Sequence, residues 1–288
     1  MSTTRMYSHQ DLMNDRTHFD VELPLIAHGD SWASFGDIPP TTTRALLDHF
    51  DFGRNVGIVN YAMPGQLLCD LTDAKRYSKF HLAMTLRGMP KWRALLISGG
   101  GNDLIDWMSH GQGSELSHRL LRWPNEWLAK ELGPARYLSE GGWVSLCQNM
   151  LEAYRQFDTL RAASSNPGAC IVTHCYDFMV PRPAPAAGGL LGPWFAPKLA
   201  QAGIPSTDGP AVAHLIVEWF YSFLAHQVQP QLRNFVVLDT RGGATPATPD
   251  STGVSGDWQN EIHLTSEGYG KLAKAKCNAA LQALASSW

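Results

Sequence analysis

Residues 23–32 read LPLIAHGDSW, and the fold follows from taking this stretch in two halves. The first five residues are aliphatic on both alternating faces, the pattern of a β-strand covered on both sides. The rest are turn-formers and polar side chains, as expected where a chain leaves a sheet. The same pairing recurs downstream. VGIVN at 56–60 runs into Asn60-Tyr61-Ala62-Met63-Pro64-Gly65, and ALLIS at 94–98 into Ser98-Gly99-Gly100-Gly101-Asn102-Asp103. ACIVT at 169–173 runs into His174-Cys175-Tyr176-Asp177, and FVVLD at 235–239 is the last such run. Between the runs lie segments able to form helices: 41–50, 66–88, 144–163 and 214–227. A C-terminal stretch, 266–286, has Tyr269, Leu272, Ala273, Cys277, Ala280, Leu281 and Leu284 at helical spacing. Strand and helix alternate along the chain. This predicts an α/β fold with a mainly parallel, five-stranded sheet between two helical layers.

Composition bounds the function. The chain has 288 residues, a net charge of −3, 44% apolar and 17% charged residues, so it holds enough apolar material for a sizeable core. A slightly acidic chain lacks the basic surface that nucleic acid requires. No apolar run is long enough to span a membrane. The first twenty residues lack the apolar stretch of a signal peptide, so a cytoplasmic location is expected. Cys69, Cys147, Cys170, Cys175 and Cys277 include no C-x-x-C and are expected as free thiols. The eleven histidines are scattered with no H-E-x-x-H, so neither a metal nor any other cofactor is expected.

No composition shift divides the chain. Residues 1–22 read as a peripheral segment and 23–288 as a single domain with lid-like insertions at 104–143 and 181–210. The first carries Trp107, Trp123, Trp127 and Trp143, and the second several prolines and GGLLGPWFAP. Both follow strands, and ligands of open α/β sheets bind over the carboxyl ends of strands. A substrate-contacting role is therefore predicted for them, against ordinary surface loops.

The polar clusters at consecutive strand ends converge on one edge, joined by Asp257-Trp258-Gln259-Asn260-Glu261-Ile262-His263 before the last helix. Such a set meets the needs of acyl transfer: a nucleophile, a base, an orienting group and an oxyanion hole. Ser31 is the candidate nucleophile and His263 the candidate base. Asp257 or Asn260 is placed to hold the other imidazole nitrogen. The Asn102 amide and the Gly65 backbone N–H are candidate oxyanion donors. Asp30 and Asp103 read as loop braces. His28 and His174 read as buried histidines with one hydrogen bond each, His174 being also a candidate pocket residue. Trp32, Asp177 and Trp258 are the other candidate pocket residues, with core packing or bracing as the alternative for each.

As an ordered set, Gly29-Asp30-Ser31-Trp32, Gly65, Gly101-Asn102-Asp103 and His263 resemble the four blocks of the SGNH subgroup of the GDSL hydrolases. They are closest to a bacterial branch with a GDSW first block and a W-x-N-E-I-H last block. The resemblance spans roughly residues 23–280. It implies a flavodoxin-like three-layer α/β/α fold and a serine esterase or lipase acting on a small-molecule ester. Ser31 would be the nucleophile, with its own amide, Gly65 and Asn102 as oxyanion hole and His263 as general base. The chain departs from the pattern at Asn260, where the family usually has Asp, and at Leu264, where many members have Pro. With an amide at 260, Asp257 is the expected charged partner of His263; Asp177 could approach from the fourth strand end, and Glu261 is adjacent but expected to point elsewhere. The alternatives are a carbohydrate O-deacetylase or O-acetyltransferase on the same machinery, a silent binding module, and a metal-dependent hydrolase. The oligomeric state is not legible.

Overall fold

The structure, a computed structural model, describes residues 3–14, 21–34 and 44–288. Its sheet has six strands rather than five: β1 (Thr3–Tyr7), β2 (Leu23–Gly29), β3 (Asn55–Asn60), β4 (Ala94–Ser98), β5 (Cys170–His174) and β6 (Phe235–Leu238). All pairs are parallel, in the order β1-β3-β2-β4-β5-β6. The five apolar runs are five of these strands. The sixth, TTRMY, comes from the segment read as peripheral. It is an edge strand with no fully buried residue, so it needs no apolar run. Pairing with β3 holds it, helped by Thr3 Oγ1 donating to Asn55 Oδ1 at 2.8 Å and by His9 Nδ1 at 2.8 Å from the Tyr61 hydroxyl.

The helices are α1 (His9–Asn14), α2 (Ser78–Thr85), α3 (Gly101–Ser109), α4 (Glu140–Ala162), α5 (Ala196–Gln201), α6 (Gly209–Phe223), α7 (Ser266–Leu272) and α8 (Asn278–Ala285). The helix expected over 66–88 is shorter than its apolar pattern. Asp73 Oδ1 accepts the amides of Lys75 at 2.7 Å and Arg76 at 3.2 Å, a local turn that competes with helix. Of the helix expected over 41–50, residues 41–43 lie outside the described residues, and the remainder forms one 3₁₀ turn, Leu46–His49.

Handedness sorts the helices into layers. The chain steps from β2 to β3 in one direction, then reverses across β2 to reach β4, β5 and β6. Right-handed crossovers put connections that run in opposite directions on opposite faces. Accordingly α2, α3 and α4 pack together, while the Leu46–His49 turn packs with α7. Where the direction reverses, between β2 and β4, the carboxyl ends of the strands open a crevice. There β2 passes so close to β4 that a Cβ on Gly29 would lie 2.1 Å from the Ser98 carbonyl oxygen.

His28, on β2, departs from expectation. It is fully buried against Tyr77 and Phe80, with ring centroids 4.7 and 4.5 Å away, and neither ring nitrogen makes a hydrogen bond. Burial holds its pKa down to about 3, the nearby backbone of Tyr61 and Leu71 offsetting only part of that. The unfolded chain, with an ordinary imidazole, takes up a proton below about pH 6.5 that the folded chain refuses. Stability tied to His28 is therefore complete above that pH and falls as the pH drops towards 3. His28→Leu removes this loss. Its stabilisation should be about 2 kcal/mol larger at pH 5 than at pH 7.5, from ~1.4 kcal/mol per pH unit. Urea unfolding at both pH values measures it, and an equal effect at both would contradict the buried, neutral assignment.

Candidate active site

The crevice between β2 and β4 gathers the polar strand ends. After Gly29 the chain enters a tight turn in which the amides of Ala33 and Ser34 bond to the carbonyls of Asp30 and Ser31, both at 3.2 Å. Ser31 is presented from this turn. Asp30 fixes it from below: its Oδ1 accepts the Trp32 amide at 3.0 Å and the Ser98 hydroxyl at 2.7 Å, and its Oδ2 accepts the Tyr176 hydroxyl. The Gly101 amide in turn donates to the Tyr176 oxygen at 3.0 Å. The Ser31 turn and the start of α3 therefore share one buried phenol. Burial pushes the Asp30 carboxyl up from its ordinary value and Tyr176 well above its own.

His263 Nε2 lies 2.8 Å from Ser31 Oγ, and its Nδ1 lies 3.0 Å from Asn260 Oδ1. Asn260 Oδ1 also accepts the Ile262 amide at 3.1 Å and the His263 amide at 2.9 Å. Backbone N–H groups only donate, so these two decide which end of the amide is oxygen. With oxygen facing it, Nδ1 carries the proton. Nε2 is then the lone pair that accepts from the serine. Ser31 is 7% and His263 3% exposed, so the pair is shielded from water. Burial holds the imidazole down to about 3, favouring the neutral ring.

The side chain on His263 Nδ1 is thus the Asn260 amide, and the Asp257 carboxylate is bound elsewhere. Asp257 Oδ2 is engaged by Lys271 Nζ at 2.7 Å and by the Thr245 amide at 2.5 Å. Partial burial works against its ionisation, but Lys271 and Thr245 prevail and its pKa lies below the ordinary value. Asp177 is occupied too, accepting the amides of Phe178, Gly242, Gly243 and Ala244 and so folding the loop after β6. Glu261 binds four amides, those of Arg182, Trp194, Phe195 and Ala196. It pins the 181–210 segment to the histidine loop.

Asn102 Nδ2 donates to the Gln66 carbonyl at 2.9 Å, tying the start of α3 to the turn that contains Gly65 (φ 78°). Asp103 takes the amides of Leu68 at 2.7 Å and Cys69 at 3.2 Å, bracing the same turn as expected. Ser31, Trp32 and Asn102 line one cavity of about 30 Å³, together with apolar side chains of α3 and α6. Trp32 also joins two loops, donating from Nε1 to the Ile262 carbonyl at 3.0 Å.

Of the candidate pocket residues, Trp32 lines this cavity, and His174, Asp177 and Trp258 do not. His174 makes two hydrogen bonds where one was expected. Nδ1 accepts the Tyr176 amide at 3.3 Å, so Nε2 donates to Ser98 Oγ at 2.9 Å, extending the network under Asp30. Trp258 is buried, 6.4 Å from the Trp32 ring. Of the insertion tryptophans, Trp107, Trp123, Trp127 and Trp143 do not line the cavity either. Trp143 packs on Trp219 and Trp127 on Tyr137. Trp194, from the second insertion, meets the His263 ring edge-on at 5.4 Å.

Tyr176, Glu261, Arg182 and Trp194 are the site residues that sequence reasoning did not assign. Arg182 is buried and donates to the carbonyls of Ser251, Gly253 and Asn260. The signal for Glu261 was its place between Asn260 and His263. Among the described residues no group of three or more His, Cys, Asp or Glu side chains could hold a metal ion, and no helix is long and apolar enough to cross a membrane.

No protein-family model matches the chain, and no curated protein matches it. Among solved structures it is similar to an extracellular lipase from Streptomyces rimosus, at 16% identity over 88% of this chain and 99% of that one, with a TM-score of 0.47. It is similar to a carbohydrate acetylesterase from Sinorhizobium meliloti at 13% identity, covering 93% and 100%, TM-score 0.47. A lipase from a goat rumen metagenome is similar at 14% identity, covering 88% and 94%, TM-score 0.46.

Proposed function

We propose that the protein is a serine hydrolase that cleaves carboxylic esters through an acyl-enzyme on Ser31. One observation carries the reading: Ser31 Oγ, His263 and Asn260 Oδ1 form a continuous hydrogen-bonded relay, with Nε2 left as the base. Ser31 Oγ attacks the ester carbonyl carbon while its proton passes to His263 Nε2. The carbonyl π electrons move onto oxygen, and the oxyanion is met by the Ser31 and Gly65 amides and by Asn102 Nδ2, which has a second hydrogen beyond the one given to Gln66. Collapse expels the alkoxide, which takes the proton from His263. Water then repeats the two steps on the acyl-serine, releasing the carboxylic acid.

Asn260 is also what a decayed site would show, but its oxygen stands where an orienting acceptor is needed. That favours a working relay over a silent module. The test is turnover of 4-nitrophenyl acetate with and without chelator, combined with labelling by a fluorophosphonate and mass mapping of the adduct. Chelator-resistant turnover and an adduct on Ser31 are expected. Chelator-sensitive turnover, or an adduct at another residue, would overturn the proposal.

A further inference from the structure

The cavity shared by Ser31 and Asn102 has room for about two water-sized groups, taking 10–15 Å³ for each. Beyond those two residues its walls are mostly hydrocarbon: Leu104 and Ile105 of α3, Ile216, Val217 and Phe220 of α6, and Phe195 ahead of α5. A small, apolar space beside a nucleophile and an oxyanion donor suits the alkyl part of an acyl group. The leaving alcohol, by contrast, must depart into solvent.

The space has little means of growing. Phe220 is fully buried, and a Cβ on Gly100 would come within 2.5 Å of its Cζ, so the ring is packed hard against the backbone that presents Asn102. It also packs on Phe223 and on Tyr176, 5.7 Å between centroids, whose hydroxyl is held by Asp30 and the Gly101 amide. Moving Phe220 aside would disturb the hydrogen bonds that shape the nucleophile turn. Ile105, half-buried on α3, marks the more accessible wall.

Resting on the Ser31 reading, we propose that Phe220, backed by Val217, sets a short limit on the acyl group: acetyl and propionyl esters are accepted, and chains from butyryl upward are excluded. The test is kcat/KM on acetyl, butyryl and octanoyl 4-nitrophenyl esters, with acylation of Ser31 followed by mass. The native protein should lose about tenfold or more from acetyl to butyryl, since one methylene in an apolar pocket changes rates by roughly 10–200-fold. Octanoyl turnover should be lower still. Phe220→Ala, or Val217→Ala if the first folds poorly, should raise the butyryl-to-acetyl ratio about tenfold. A native preference for octanoyl overturns the proposal, as does a ratio unmoved by either variant, provided acetyl-Ser31 forms. So does discrimination that follows alcohol size instead of acyl length. Failure of every ester to acylate Ser31 would instead remove the underlying reading, and this proposal with it.

Discussion

Ser31→Ala should lower kcat on 4-nitrophenyl acetate by about 10⁴- to 10⁶-fold, the range for losing a nucleophile that acts as a unit with its base. His263→Ala should fall in the same range, and the double variant should be no worse than either single one. The reason is the 2.8 Å contact between Ser31 Oγ and His263 Nε2. Without the imidazole the hydroxyl has no acceptor for its proton. Without the hydroxyl the imidazole has nothing to activate. Substrate affinity should change little, because the pocket walls and oxyanion donors remain. The folded state should persist as well: the tight turn around Ser31 is held by Asp30 and backbone bonds that alanine leaves intact. Single-turnover kinetics on the variants, with far-UV circular dichroism as a check on folding, measures this. A Ser31→Ala protein retaining a tenth of native activity, or a double variant whose losses multiply, would mean that the two residues do not act together.

The strand runs were legible because burial forces a local composition, and the one charge among them, Asp239, lies past the end of β6. The edge strand Thr3–Tyr7 was not, because one covered edge and a mostly accessible surface leave its sequence unconstrained. At the site, positions were more legible than partners. Ser31, Asn102 and His263 sit where a strand or a helix start dictates. Asp257 was expected to serve His263 because a carboxylate was missing from position 260, but Lys271 lies a helix turn into α7 and claims it, a contact that no local spacing reveals. The amides bound by Glu261 come from residues 65 to 79 positions away in the chain. Short-range pattern therefore finds the polar groups gathered at the strand ends and misses the buried charges that hold their loops together.

Asn260→Asp should raise kcat about tenfold to a hundredfold at pH 8, and the argument lies in what Asn260 already does. Its oxygen accepts from two backbone amides and from His263 Nδ1, so an aspartate would keep all three bonds with one oxygen. Its Nδ2 is buried without a hydrogen-bond partner, a cost the substitution removes, although the second carboxylate oxygen there gains no donor. What changes is charge. When His263 takes the serine proton, a carboxylate a few ångströms away stabilises the imidazolium by about 3 kcal/mol at an effective dielectric near 20. Part of this is lost to burying the second oxygen, and the remainder corresponds to the tenfold to hundredfold gain. The same charge moves the pH profile. In the native protein the imidazole is held down to about 3, so the acid limb of kcat/KM lies well below neutrality. An adjacent carboxylate favours the protonated ring, so the limb moves up and activity at pH 5 falls relative to pH 8. Asn260→Leu removes the acceptor and with it control of the tautomer, and should lose about 10²- to 10⁴-fold. Asp257→Ala should leave kcat within a few-fold, because its partners are Lys271 and Thr245. A faster enzyme with an unmoved acid limb would mean that the gain came from packing. An Asp257→Ala loss larger than that of Asn260→Leu would return the orienting role to the carboxylate.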